Sequence, residues 1–521
     1  MNLHNTIDVL VVGAGPAGTA LAIDLARRGL DFRIIDKAAH SFSGSRAKGI
    51  QPRTLEVLHD LDVLPDIMAA GNPYPLLGIH AGPLTVPWRM MANDQATSAV
   101  PYPNTWLIPQ YATDAALHAQ LNRLGHEVEF GTELTDFTQD GTQVTATLET
   151  ADGSEQVTAR YLVGADGGGS TVRRQLGVGF EGTTDEQDRM VIVDASVSGL
   201  SSDRWHVWPA LGGKFMGACP LPEADLFQWM IRLKNGEEPP LDEKSLNARI
   251  HSHTRNSRIR LHSIRWTSVF RPNIRLAEHY RVGRVFLAGD AAHVHTPAGA
   301  QGLNTGVQDA YNLGWKLAQV IAGADDALLD TYEAERLPIA ASVLGLSTAK
   351  YQGIAKLDPS SIRRGSDEKQ LAITYFGGPL ANSGGSTKTL RVGDRAPDAE
   401  LIGTGGRKVR LFDLYRGPQF VALACGDKAA RVLDCLEWPD GGSPLHRTYI
   451  DSVTDRNLVD WSHDFRQSYG ITEPTIVIVR PDGYLGHIAT GDALSAESIS
   501  RALTVFVPAT ASTSTESDGG R

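Results

Sequence analysis

The sequence predicts an α/β protein with a largely parallel sheet, an antiparallel sheet interleaved with it, and a separate C-terminal module. Three observations carry this. An apolar run, Ile7–Val12, leads directly into Gly13-Ala-Gly15-Pro16-Ala17-Gly18 and a segment with helical spacing. The pattern of strand followed by glycine returns at residues 285–288, before Gly289-Asp290 and Gly302-Leu303-Asn304. A low-complexity joint from Gly377 to Ser386 then divides the rest of the chain from what precedes it.

A short, largely apolar run such as Ile7–Val12 marks a parallel strand buried on both faces. Residues 16–28 place Ala20, Leu21, Ile23, Leu25 and Ala26 at helical spacing, and Gly29 stops the helix. Residues 32–35 form the next strand, closing on Asp36, and complete a strand–turn–helix–strand unit of the Rossmann type. The texture turns to Pro, Gly and aromatic residues from 72 to 104, as irregular strands leave this unit. Helical spacing returns at 112–124. Strand alternation follows at 127–148 and 155–163, across an Asp152-Gly153 turn. Residues 180–275 are rich in strands, with Trp205, Trp208, Phe215, Phe227 and Trp229 among polar neighbours, and read as a sheet facing a ligand on one side. A buried strand at 285–288 precedes a helix at 303–321, whose stripe includes Val307, Ala310, Tyr311, Gly314, Leu317, Ala318 and Ile321. In the C-terminal module, residues 420–424 and Thr475–Val479 read as buried strands, and the Ser/Thr/Gly-rich residues 508–521 as a disordered tail.

Composition narrows the function. The chain has 521 residues, 41% hydrophobic and 21% charged, the balance of a soluble globular protein of two or three domains. Its net charge of -11 argues against nucleic acid or an anionic membrane as partner, since both demand a basic face. Cys219, Cys425 and Cys435 are too few and too scattered for a disulfide framework or a zinc site, which fits a reducing cytoplasm. The first residues lack the order of a secretory signal, and no apolar stretch is long enough to span a bilayer.

The glycine spacing carries the first chemistry. In Gly13-x-Gly15-x-x-Gly18 the first glycine permits a tight turn, the second lets backbone approach a pyrophosphate, and the third lets helix and strand touch. Asp36 lies where an acid accepts hydrogen bonds from an adenosine ribose. Asp290 follows a strand's carboxyl end, where ligands of open α/β sheets lie, and its carboxylate suits a polyol hydroxyl. The helix opening at Gly302-Leu303-Asn304 directs backbone N–H groups and a positive dipole end at its neighbour, an arrangement that favours the anionic edge of a reduced flavin.

These segments, together with Ala165-Asp166-Gly167-Gly-Gly-Ser170, resemble the class A flavoprotein aromatic hydroxylases, the para-hydroxybenzoate hydroxylase fold. The chain is most similar to larger members with a thioredoxin-like C-terminal domain, the phenol hydroxylase and aromatic polyketide hydroxylase type. The resemblance covers residues 9–315, extending to about 490 through the C-terminal module. It implies a Rossmann-like FAD-binding domain of residues 1–72, 105–178 and 276–350, and a substrate-binding sheet domain of 73–104 and 179–275. A helical segment and linker at 351–389 would follow, then a thioredoxin-like domain at 390–507. It further implies that Gly13, Gly15, Pro16, Ala17, Gly18, Asp36 and Lys37 bind the ADP part of FAD. Arg46 and Gln110 would contact the flavin. Asp166 and Gly167, with Ser170, Val172 and Arg173, would touch both FAD and NAD(P)H. Gly289 and Asp290 would hold the ribityl chain, Pro297 would lie near the ring, and Gly302, Leu303 and Asn304 would meet its pyrimidine edge. Two positions depart from the family pattern. Asp36 stands where many members carry Glu, and the shorter acid still reaches a ribose. Ala424-Cys425-Gly-Asp-Lys428 occupies the place of a Cys-x-x-Cys, with Glu473-Pro-Thr475 as the facing turn; one cysteine cannot cycle a local disulfide, so the module is expected to be structural.

The activity implied is a single-component monooxygenase that uses FAD, NADPH or NADH, and O2. It would hydroxylate a small aromatic substrate, a polycyclic polyketide-type phenol, through a flavin C4a-hydroperoxide. The residues leave open a Baeyer–Villiger oxygenase, an antibiotic-inactivating hydroxylase and a FAD-containing ligand-sequestering protein. They also leave open whether the chain is a monomer or a homodimer. No catalytic base is assigned; His206, His262 and His293 read as structural, with His293 the nearest to a functional position because it lies beside Asp290. Phe215, Trp229 and Met230 are either walls of an aromatic pocket or core of their sheet. Alternation puts Trp229 and Met230 on opposite faces, so at most one of those two lines a pocket.

Overall fold

The computed structural model describes residues 6–508 except 83, 210–214, 224, 297–300, 356–364, 366, 382–384 and 453–456. The expected position of Pro297, and all but the first residue of the expected tail, lie outside these described residues. The chain divides into two compact units, Met1–Asn312 with Glu333–Ile373, and Leu313–Tyr332 with Thr374–Arg521.

The first unit is built on the predicted parallel sheet. Strand Ile7–Val12 lies between Phe32–Asp36 and Gly153–Gly164, and the last of these also pairs in parallel with Val285–Leu287. The pairing register sets Val12 opposite both Ile35 and Gly164, and Gly164 opposite Leu287. All four strands therefore end at one level, and the residues that follow them (Gly13, Asp36, Ala165, Ala288) emerge side by side. Backbone bonds carry the ladder one step further, Gly13 N–H to Ile35 O, Ala165 N–H to Val12 O and Ala288 N–H to Gly164 O. The helix Pro16–Arg27 opens with proline in its first turn, where a missing N–H costs nothing, and Gly29 follows it in the left-handed region at φ +70°.

The same unit holds a seven-stranded sheet in the order Arg260–Phe270, Met190–Ser198, Leu226–Arg232, Phe215–Pro220, Arg204–Pro209, Leu76–Ala81, Leu84–Trp88. Its two expected pieces join where Arg204–Pro209 pairs in parallel with Leu76–Ala81. Within the strand-rich stretch the chain also forms a helix, Glu243–Thr254, that the aromatic texture of the sequence concealed. Asp242 caps it by accepting a hydrogen bond from Ser245 N–H. Leu246 and Ile250 of that helix join Val191, Val193, Phe227, Trp229 and Ile231 in one core.

Further on, Gly302–Ile321 is helical as expected, and Ala327–Ala355 forms a second long helix. In the second unit a five-stranded sheet runs Asn457–Leu458, Leu445–Ile450, Phe420–Cys425, Thr475–Val479, Leu485–Thr490. The first three strands are parallel and the last two antiparallel, the thioredoxin arrangement. Cys425 ends its strand as a free, buried thiol, and burial pushes its pKa up to about 11. A redox-active cysteine requires the opposite shift. Among the described residues no helix is long and apolar enough to cross a membrane.

Candidate cofactor and substrate site

The three glycine-rich segments meet at the shared level of the strand ends. Gly13 takes φ +106°, and a Cβ there would lie 2.4 Å from Ala165 O, so the first and second segments touch through bare backbone. A Cβ on Gly18 would lie 1.9 Å from Gly13 O, which makes glycine obligatory where the helix crosses its own strand. First and third segments meet at Ala17, whose Cβ would lie 3.0 Å from a Cβ on Gly289. Second and third are joined by Arg173, which donates to Ala291 O at 2.7 Å and Gly168 O at 2.8 Å. That arginine is therefore occupied in binding the two segments together, and its guanidinium stacks over Phe180 at 3.7 Å.

Gly15 differs from its neighbours. A Cβ there would meet no atom of the described residues within 4 Å, so this glycine leaves its side open at the helix N-terminus. No side chain caps that N-terminus, and its first N–H groups point outward with the positive end of the helix dipole. Beside it lies a cavity of about 350 Å³, lined by Ala14, Gly15, Asp36, Ala38, His40, Ser41, Phe42, Ser43, Gln110, Asp114, Phe130 and Trp266. A glycine cradle, bare N–H donors and an acid at the next strand's end fit a dinucleotide phosphate and its ribose. Asp36 is held in place there, accepting from Ala14 N–H and Ala38 N–H, each at 2.8 Å. Lys37 is exposed and 3.9 Å from Glu133.

Asp114, which sequence reasoning missed, is part of this lining. It sits one helical turn beyond Gln110 on Gln110–Arg123, and its Oδ1 is buried without a hydrogen-bond partner among the described residues. Burial pushes its carboxyl up to about 8; a hydrogen bond from Gln110 works against that shift and the charge of Asp36 adds to it. The i, i+4 spacing from Gln110 was the available signal.

In the second segment, Asp166 Oδ2 accepts from Thr171 N–H at 2.7 Å and Val172 N–H at 3.2 Å, while Oδ1 is buried with no partner among the described residues. Gly167 adopts φ +79°, and Ser170 caps the short helix by accepting from Arg173 N–H. In the third, Asp290 is exposed to solvent yet closely surrounded by protein atoms. That crowding raises its carboxyl pKa, and the charges of His293 and Arg46 pull it down. A Cβ on Gly302 would lie 3.8 Å from Asp290 Oδ1, so the helix start faces this acid. The Asn304 side chain is buried and spans the chain before it, accepting from Gln51 N–H at 2.8 Å and donating to Gly49 O at 2.9 Å. Arg46 is exposed, 5.1 Å above the Phe42 ring.

The histidines are structural where they are buried. His293 bonds Asp309 Oδ2 at 2.6 Å, and Asp309 also accepts from Arg336 Nε at 2.7 Å, all three within the core. His206 bonds Ser201 O and His80. His262 is exposed on its strand.

Of the three aromatic and thioether candidates, the structure removes Trp229. It is fully buried beneath the helix Glu243–Thr254 and stacks on Trp208 with rings 5.8 Å apart and 4° from parallel. Met230 and Phe215 lie on the other face, where a Cβ on Gly217 would meet Phe215, Met230 and Trp205 within 3.3 Å. On that face Lys48 is buried, donates to Gln228 Oε1, and stands 3.9 Å from Met230 Sδ and 4.5 Å from the Trp205 ring centre.

Residues 6–347 match the FAD binding domain family, and residues 389–508 match the aromatic-ring hydroxylase C-terminal family. A flavin-dependent monooxygenase of Mycobacteroides abscessus is 41% identical over 489 residues, 92% of this chain and 96% of the relative. A 12-dehydrotetracycline 5-monooxygenase/anhydrotetracycline 6-monooxygenase of Streptomyces rimosus subsp. rimosus is 33% identical over 502 residues, 92% of this chain and 94% of the relative. Among solved structures, a ternary complex of aklavinone-11 hydroxylase with FAD and aklavinone superposes with a TM-score of 0.81 at 28% identity, covering 97% of this chain and 100% of that one.

Proposed function

The chain belongs to the FAD-dependent aromatic-ring monooxygenases, and on that premise we propose that it hydroxylates a polycyclic phenolic substrate with NADPH or NADH and O2. The observation that carries the reading furthest is the convergence of three glycine segments beside the open cradle at Gly15. The two named relatives whose substrates are stated act on, or bind, fused-ring polyketides, which supports the substrate class.

Gly13, Gly15, Pro16, Ala17, Gly18, Asp36 and Lys37 would hold the ADP part of FAD, with Asp114 completing the lining. Arg46, Gln110, Asp166, Gly167, Gly289, Asp290, Pro297, Gly302, Leu303 and Asn304 would hold the flavin part. When bound, FAD would accept two electrons from the nicotinamide and activate O2, so that one oxygen atom enters an aromatic ring and the other leaves as water. The protein's own part is positional. The unpaired N–H groups at Pro16–Arg27 neutralise phosphate charge, Asp290 fixes a hydroxyl chain, and the start of Gly302–Ile321 lends positive potential to an anionic edge. The seven-stranded sheet would present Phe215 and Met230 to the substrate.

The test is to purify the yellow protein and follow NADPH oxidation against a panel of phenols and polycyclic quinones, with product masses. Ligand-stimulated oxidation and a product heavier by one oxygen atom are expected. A lactone product would move the chemistry to Baeyer–Villiger oxidation. A flavin that no ligand makes reducible would mark a binding protein.

A further inference from the structure

Resting on that reading, we propose that Lys48 and Trp205 form a two-donor recess that takes the ring oxygen of a phenolic or enolic substrate and holds it as the anion. Four side chains fix the recess. Ser45 donates to Asp194 through its backbone N–H at 2.7 Å and through its hydroxyl. Gln228 Nε2 donates to Ser45 Oγ at 2.5 Å, which turns its amide oxygen toward Lys48 Nζ. The chain of donors therefore runs one way, from Lys48 through Gln228 and Ser45 to Asp194, and leaves the lysine at its open end.

Lys48 has three N–H donors when charged, and one is spent on Gln228. Its other near neighbours are Met230 Sδ, a weak acceptor, and the face of Trp205. Among the described residues no carboxylate pairs with it, because Asp194 is committed to Ser45. Trp205 Nε1 is also buried with no acceptor among the described residues, and it lies 3.3 Å from where a Cβ on Gly217 would stand, against Met230. Lys48, with N–H groups beyond the one given to Gln228, and Trp205, whose Nε1 finds no acceptor among the described residues, thus occupy one sheet face with Phe215 and Met230. Each is a donor that burial makes costly to leave unmet. An oxygen carrying negative charge, on a flat ring that can lie along Phe215 and Met230, satisfies both.

The protonation states agree with this. Burial lowers the lysine's pKa, while the charges of Cys219 and Asp194, the titratable groups facing it, act to raise it. Where Nζ stands without its proton, it takes that of an arriving phenol. The O–H bond breaks, an N–H bond forms, and an ammonium is left facing a phenolate, the form in which the ring is most electron-rich. Neither charge is then buried alone.

Matched pairs of aromatics test it with the flavin-loaded enzyme: 1-naphthol against 1-methoxynaphthalene, and 1,8-dihydroxyanthraquinone against its dimethyl ether. For the wild type, the phenols stimulate NADPH oxidation and the ethers do not. Bound dihydroxyanthraquinone shows its anion band at a pH where the free dye is neutral. In Lys48→Met the KM for phenols rises roughly ten- to a hundredfold, the loss of a charged hydrogen bond, and the anion band disappears. Lys48→Arg keeps part of both. Trp205→Phe raises KM a fewfold and keeps the band; it and Lys48→Arg carry the comparison if Lys48→Met fails to retain flavin. Ethers turned over as well as phenols, or an unchanged KM and band in Lys48→Met, overturn the recess while the monooxygenase reading stands. Oxidation stimulated by no aromatic at all overturns that reading and the recess with it.

Discussion

Gly18 crosses Gly13 so closely that a single methyl group on it would lie 1.9 Å from the Gly13 carbonyl oxygen. The two glycines are obligatory for the fold, whereas a Cβ on Gly15 between them would meet no atom of the described residues within 4 Å.

This contrast gives the first prediction. Gly18→Ala and Gly13→Ala disrupt the fold itself, because a methyl group would strike the Gly13 carbonyl in one case and Ala165 in the other, where φ is also +106°. Both yield little soluble protein. Gly15→Val instead leaves a folded apoprotein that retains no FAD, since the added side chain enters the space beside the helix N-terminus. The ratio of flavin to protein absorbance, set beside the melting temperature of the apoprotein, separates the two classes.

Asp114 gives a pH dependence whose sign is fixed. Its folded pKa is raised to about 8, mainly by burial, above the ordinary value near 3.8. The folded state therefore binds the proton more tightly than the unfolded one. That contribution is fully present below the unfolded pKa and is lost as pH rises through about 8. Asp114→Asn mimics the neutral acid and removes this component. Melting temperatures of the apoproteins, followed from about pH 5 to about pH 9, should fall for wild type with rising pH and run flatter for the variant.

Trp229 and Met230 are adjacent in sequence and separate in role. Trp229→Ala opens a cavity in a closed core and should cost about 3–5 kcal/mol in denaturant unfolding. Met230→Ala removes a side chain from the Lys48 face and should change KM for aromatic ligands with a smaller loss of stability. Equal stability losses with unchanged KM would contradict the assignment of faces.

The chain has 3 cysteines, of which Cys219 and Cys425 are buried and Cys435 is exposed. Burial raises the pKa of both buried thiols. Ellman's reagent should therefore find one fast thiol per native chain and all of them in denaturant. Cys425→Ala should leave NADPH oxidation unchanged, as a structural module requires.

Much of the cofactor region was legible because its geometry admits few residue types at fixed spacing. A tight turn, a close crossing and a strand-end acid leave Gly13, Gly18 and Asp36 little alternative. Other parts depend on packing that sequence spacing does not encode. Alternation separated Trp229 from Met230, but both are apolar, so only the helix Glu243–Thr254 decides which face is core. That helix was itself hidden, although Asp242 and Ser245 hold a capping spacing. Lys48 meets Gln228 and Trp205 only because a loop after the second strand of the parallel sheet reaches the other sheet, a contact between residues far apart in the chain. Arg173 also carries a task that spacing does not encode, two hydrogen bonds that tie Ala291 to Gly168.

The parallel pairing of Arg204–Pro209 with Leu76–Ala81 bears on how this enzyme could be re-engineered. Residues 179–275 look like a transferable cassette, but two of the sheet's strands, Leu76–Ala81 and Leu84–Trp88, belong to an earlier stretch of chain. A graft of the later segment alone would leave Arg204–Pro209 as a raw edge, inviting aggregation. Exchange of specificity between such enzymes therefore has to move both stretches together, or keep the hybrid's seam between them intact.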